Sequence, residues 1–195
     1  MPALRRIVVP LAISALALAA LSGCVPTSTP SPSDTASAAP SDSASASPTP
    51  SPTASAVSTP ITIDCNTLIT PDDIYAFNPN FGLITSWTPK PGSAASTAKS
   101  ERGIACRWQN QTSGDTIDIS VAHLDAATIE SLKNDAVEKS TMVPTYGDEA
   151  YFSVSGGAGT AIVFQGDYWL VATSVDFLEP GDPADLITAA LSALA

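Results

Sequence analysis

Three cysteines, a single histidine and the adjacent acids Asp148 and Glu149 are the residues of this chain whose types could carry chemistry. A Ser-His-Asp triad needs a histidine between nucleophile and acid, so any such reaction would pass through His123. That residue follows Val121 in a strand-like alternation, which predicts a structural histidine at a strand end. Ser155-Gly156-Gly157 is not a nucleophile elbow, because Ser153 stands where the preceding glycine is needed. Cleavage of a glycosidic bond needs two carboxylates flanking that bond. Asp148 and Glu149 are neighbours, and neighbours on a strand point to opposite faces. They are therefore predicted to be structural: Gly147 turns the chain, Asp148 bonds a loop amide and Ala150 allows close packing. Asp148, Glu149 and Trp87 also stand as candidate ligand contacts. No metal or other cofactor is expected. Two cysteines and one histidine lack the spacing of a zinc site, and the Asp-x-Asp-x-Asp-Gly calcium loop is absent. The glycines from Gly156 to Gly159 precede neither a helix nor a lysine, so they read as a hairpin turn and not a phosphate loop.

The cysteines divide by position. Cys24 closes the run Leu21-Ser22-Gly23-Cys24, behind Arg5, Arg6 and an apolar stretch from Ile7 to Leu21. A positive start, a short apolar run and small residues at its end make an export signal. The stretch has about 15 residues where a membrane span needs roughly 20, and it contains Pro10. The four closing residues resemble the lipobox of bacterial lipoprotein signal peptides. The resemblance implies cleavage before Cys24 and a diacylglyceryl group on its sulfur, with acyl chains of the palmitate kind. Two chains hold a protein stably where one is marginal. The expected location is the extracytoplasmic face of the cell membrane. Cys65 and Cys106 remain, and an even pair in an exported domain most often forms a disulfide. That bridge closes a loop of about 40 residues, worth roughly 4 kcal/mol in the chain-entropy account.

Charge narrows the partners. The chain carries 19 acids, 8 bases and a formal charge of -11. Loss of Arg5 and Arg6 makes it more acidic still, and every other base lies at or beyond Lys90. Nucleic-acid binding rests on Lys and Arg at phosphates, and so does adsorption to anionic lipid. Neither fits, which leaves the lipid anchor as the membrane contact.

The chain divides into residues 1–23, a lipoprotein signal peptide; 24–60, the lipidated cysteine and a tether; and 61–195, an extracytoplasmic domain. From Val25 to Thr59 the sequence is nearly all Ser, Thr, Ala and Pro, without an aromatic residue. Such a segment buries too little apolar surface to offset its ordering entropy and reads as a disordered linker that lifts the domain off the membrane.

Within the domain, Thr70-Pro71-Asp72-Asp73 predicts a helix start with a capping box. Asn78 to Ser100 reads as a long loop holding Trp87. Strands are predicted at Ile104–Gln109, Thr116–His123, Ala150–Val154, Thr160–Gln165 and Tyr168–Val175. Gly166-Asp167 is a tight hairpin. Asp125 caps a helix with Ile129, Leu132, Ala136 and Val137 on its apolar side, and Asp182-Pro183-Ala184-Asp185 opens the last helix. Trp108 and Trp169 are assigned to the core, while Trp87, in a polar loop outside any periodic pattern, stays a candidate partner contact. The predicted fold is α+β: a single antiparallel sheet of about five strands with helices packed on one face.

Three motifs stand in order: Cys65-Asn66-Thr67-Leu68-Ile69-Thr70-Pro71-Asp72-Asp73-Ile74, then Cys106-Arg107-Trp108, then Tyr146-Gly147-Asp148-Glu149-Ala150-Tyr151-Phe152. With the lipobox they resemble an actinobacterial family of small secreted lipoproteins of unknown function. That family is distantly similar to extracellular sensor domains of mycobacterial receptor kinases. The likeness covers residues 61–195 and implies the disulfide, the α+β fold and no catalytic residue. The kinase-type domains tend to carry a second disulfide, for which this chain has no cysteines, so their ligands do not carry over.

The expectation is a lipid-anchored, non-enzymatic envelope lipoprotein that binds or senses an envelope protein, a glycan or a lipid ligand. An envelope enzyme acting on wall polymer through Asp148 or Glu149 is the alternative, and a structural spacer is a third.

Overall fold

The computed structural model describes residues 58–195. The expected signal peptide, Cys24 as the expected lipidation site and nearly all of the expected tether lie outside the described residues. Twelve elements follow in order: α1 (Cys65–Leu68), α2 (Pro71–Phe77), β1 (Phe81–Leu83), α3 (Ala94–Ser100), β2 (Ile104–Asn110), β3 (Thr116–His123), α4 (Ala126–Lys139), β4 (Thr141–Met142), β5 (Glu149–Ser155), β6 (Ala158–Gln165), β7 (Tyr168–Ser174) and α5 (Ala184–Ala193).

One antiparallel sheet runs β1-β2-β3-β7-β6-β5-β4. The fold class is α+β as expected, with seven strands in place of about five. The two additional strands are the shortest and lie at the edges. β1 forms inside the segment expected to be a loop, pairing Leu83 with Trp108. β4 pairs Met142 with Tyr151. The same segment also holds α3, capped by Ser93, whose side chain accepts from the Ser96 amide at 3.2 Å.

Helices cover both faces of the sheet, correcting the one-face expectation. Ile117, Ile119 and Val121 of β3 and Leu170 and Ala172 of β7 pack in one apolar cluster with residues of α1, α2 and α5. Ala122, Trp169 and Val171 pack in a second cluster with Ala98 of α3 and Ile129 and Ala136 of α4. The cause is topological. β3 and β7 are central neighbours, and the helix after each leaves the sheet on a different side. Strands buried on both faces lose the apolar-polar alternation, which fits the unbroken apolar run Tyr168-Trp169-Leu170-Val171-Ala172.

Local chemistry sets the helix starts. Thr70 Oγ1 accepts from the Asp73 amide at 3.2 Å, and the Asp73 carboxylate accepts from the Thr70 amide at 3.0 Å, closing the predicted capping box. The Asp125 carboxylate accepts from the Ala127 and Thr128 amides, both at 3.0 Å. Asp182 does not cap α5. It accepts from the Leu178 and Glu179 amides at 2.7 and 2.8 Å, and Pro183 takes the cap position without a side-chain bond. Val137, expected on the apolar side of α4, is 58% exposed.

The disulfide joins Cys65 of α1 to Cys106 of β2, with the Cα atoms 5.6 Å apart. It pins α1 to the sheet beside Trp108, which is 1% exposed. Gly159 fixes another close approach: a Cβ there would lie 2.0 Å from the Phe177 carbonyl oxygen.

Candidate functional site

A groove of about 780 Å³ opens between α5 and the end of the sheet where β3 stops and β7 starts. Sequence dictates its walls. On α5, Thr188, Leu191 and Ser192 recur at helical spacing and line one side, with Leu194 and Ala195 just beyond the helix. Thr188 and Ser192 donate their hydroxyls to the Ala184 and Thr188 carbonyls at 2.9 and 2.8 Å. That helix wall therefore spends its polar donors on itself and presents mainly carbon.

The facing wall is polar and comes from two turns. Gly147 adopts φ +69°, and a Cβ there would sit 2.4 Å from Val163 Cγ1, so the chain turns tightly against β6. The next residue, Asp148, accepts from Gln165 Nε2 at 3.0 Å and from the Gly166 amide at 2.8 Å. Its carboxylate thereby holds the β6–β7 hairpin, and Gln165, Gly166 and Asp167 complete the wall.

The floor is aromatic. His123 and Tyr168 face each other across β3 and β7, ring edge to ring face, with centroids 4.9 Å apart. Tyr146 is buried beside them and donates its hydroxyl to the Pro180 carbonyl at 3.3 Å. Burial pushes its phenol up to about 12. Four further polar side chains, those of His123, Thr145, Asp167 and Tyr168, line the groove, and those of Thr145 and Asp167 are exposed. Among the described residues no Lys or Arg lines the groove.

The residues proposed from sequence do not meet in one place. Asp148 lines the groove, but its two oxygens are engaged by the hairpin. Glu149 points to the opposite face, where its carboxylate meets Lys133 Nζ at 2.7 Å and accepts from the Tyr151 hydroxyl. The lysine and the phenol hold the Glu149 carboxyl below its ordinary value of 4.5. The hydrogen bond to Glu149, then burial, pushes Tyr151 up to about 12.

Trp87 stacks on Arg107, whose guanidinium carbon lies 4.0 Å from the ring centroid. Arg107 in turn makes two hydrogen bonds of 2.6 Å to Asp118. Trp87 also lines a second hollow of about 510 Å³, with Ile61, Ile63 and Leu83. Among the described residues no cluster of three His, Cys, Asp or Glu side chains is placed to hold a metal ion.

The Glu149 ion pair makes a pH prediction. Because the folded pKa lies below the unfolded one, the stabilisation is present above the ordinary carboxylate range and is lost as pH falls through the folded value. Glu149→Gln keeps an acceptor for Tyr151 and removes the charge. The variant is expected to be up to about 1 kcal/mol less stable at neutral pH. The gap should close as pH falls from the ordinary carboxylate range through the lowered folded value. Thermal unfolding of both proteins across that range checks it, and a constant gap would show that the charge is not the cause.

Sequence reasoning placed His123 at a strand end and did not see the groove. His123, Tyr146, Tyr168 and Leu191 come from four separate stretches of chain. The register between β3 and β7 brings the two rings together, and no local pattern reports that register. Compared with protein-family models, curated proteins and solved structures, the chain matches none.

Proposed function

We propose that this chain is an envelope lipoprotein, anchored at the extracytoplasmic face of the cell membrane through Cys24. Its tether presents a domain that binds a ligand in the groove between α5 and the β6–β7 hairpin and does not turn it over. Kinship with the actinobacterial lipoprotein family belongs to the same proposal.

The observation that carries the reading is one concave site of about 780 Å³ that sets a carbon wall on α5 against the polar side chains of two turns and of His123 and Tyr168. Groups of this kind fix a ligand's orientation, and the volume lies in the range of small-molecule sites. The employment of the acids favours binding over turnover. Hydrolysis of a wall glycan asks two carboxylates to flank one bond. Here Asp148 holds a hairpin and Glu149 serves an ion pair on the other face of the sheet.

Leu191→Arg tests the site, because it fills the groove from a half-buried position on α5. The full-length protein is purified from its membrane in mild detergent, and native mass spectrometry records the small molecules that travel with it. A species bound to the parent and reduced at least about tenfold in the variant supports the proposal. Equal retention by both proteins places binding elsewhere, and an empty groove in both counts against a binding role.

A further inference from the structure

We infer that the groove takes a pyranose ring of an uncharged glycan. This rests on the ligand-binding reading above and names the chemistry of its ligand.

The groove has two unlike walls. One is carbon: Leu191 of α5 and Leu194 at its C-cap line it, and the neighbouring hydroxyls of Thr188 and Ser192 are turned back onto helix carbonyls. The other is made of planar hydrogen-bonding groups on two turns, Asp148, Gln165 and Asp167. A pyranose has matching halves, a C–H face and a rim of hydroxyls. Each hydroxyl both donates and accepts, so it can serve carboxylate, amide and imidazole alike. Aromatic rings with a polar tip suit a ligand with one apolar and one wet side, and Tyr168 and His123 supply them at the floor.

Charge selects among polar ligands. Two carboxylates line the groove without a Lys or Arg, so phosphates, sulfates and uronates meet like charge without compensation. An ammonium ligand would find attraction. However, both oxygens of Asp148 already accept hydrogen bonds from Gln165 and Gly166. Asp167 lies exposed at the hairpin tip, where a charge pair is worth little. His123 and Tyr168 meet edge to face, and so do not form the set of open ring faces that cages a cation. A carboxylate held rigid by two amides still has lone pairs for hydroxyl donors, and that is the stronger use of Asp148.

The test uses the full-length lipidated chain in a detergent without a sugar headgroup. The probes are three neutral disaccharides of glucose, galactose and mannose, one glucuronate disaccharide and one hexosamine disaccharide. Saturation-transfer NMR identifies contacting sugar protons, and titration calorimetry gives affinity. At least one neutral disaccharide is expected to bind, with transfer strongest on its ring C–H protons. The glucuronate form should bind at least about tenfold more weakly. Tyr168→Ala should lower affinity about tenfold. Asp167→Ala, at an exposed turn that tolerates substitution, should lower it several-fold.

Preference for the hexosamine over every neutral sugar overturns the inference in favour of a cation site. Absence of neutral-sugar binding also overturns it. If Leu191→Arg still displaces a co-purified molecule in that case, the groove remains a ligand site and only the sugar class fails. If Leu191→Arg displaces nothing, the binding reading falls with it.

Discussion

Replacing both Cys65 and Cys106 with alanine is expected to cost the domain about 4 kcal/mol of unfolding free energy. The bridge spans 41 residues of sequence, and most of its effect lies in the ensemble it denies to the unfolded chain. A domain of this size commonly holds between about 5 and 15 kcal/mol in all, so the variant should sit close to its unfolding threshold at body temperature. The loss is sharpened by what the bridge holds. Leu68 and Ile69, three and four residues after Cys65, are buried in the main apolar cluster, and α1 touches both β2 and α5. Releasing α1 would therefore uncover part of α5, the helix whose other side forms one wall of the groove. Alanine is the suitable replacement, because Cys106 is 1% exposed and a serine there would bury a hydroxyl. Denaturant midpoints of the parent, the reduced parent and the double variant check the value. A shift below about 1 kcal/mol would show that packing alone fixes α1 and that the loop-entropy account does not apply.

How much of this was legible follows from the range of each signal. The capping box at Thr70 and Asp73, the strands β2 and β3, and the hairpin at Gly166-Asp167 are written in residues a few places apart. β1 and β4 are three and two residues long, too short for an alternation to register. They exist because β2 and β5 offer edges to pair with. α3, with the sequence Ala-Ala-Ser-Thr-Ala-Lys-Ser, hides for a different reason: its buried face is made of Ala95 and Ala98, small side chains that let a helix lie close on the sheet. Asp182-Pro183-Ala184-Asp185 misled because a carboxylate can serve either the helix ahead or the turn behind, and Asp182 serves the turn.

The two-faced sheet was partly legible. A run such as Tyr168 to Ala172, apolar at every position, is what a strand buried on both sides requires. The groove was not legible at all, because its floor is a cross-strand pair between residues 123 and 168. Asp148 was visible as a loop-bonding acid, while its position on the rim of a cavity depends on where α5 docks.

The second large effect concerns Cys24 and is read at the membrane. With Cys24→Ala, and a plain secretory cleavage site of small residues in place of 21–23, the protein is expected to move from the membrane fraction to the medium. Nothing else argued for this chain would hold it to lipid. None of the helices among the described residues is long and apolar enough to cross a membrane. The formal charge of -11 repels an anionic leaflet, where each Lys or Arg would be needed for attraction. On the proposed reading, anchoring thus falls to thioether-linked acyl chains on Cys24. Each buried methylene contributes about 0.8 kcal/mol, and two chains together hold where one does not. Mass spectrometry of the parent supplies the complementary readout: a chain beginning at Cys24 and heavier by a diacylglyceryl group. A membrane-bound parent that begins at Met1 would refute the lipid anchor, since the stretch from Ile7 to Leu21 would then be acting as the anchor despite its length. Release of the parent itself into the medium would refute it equally, and would recast Cys24 as an incidental thiol beside an ordinary secretory cleavage site.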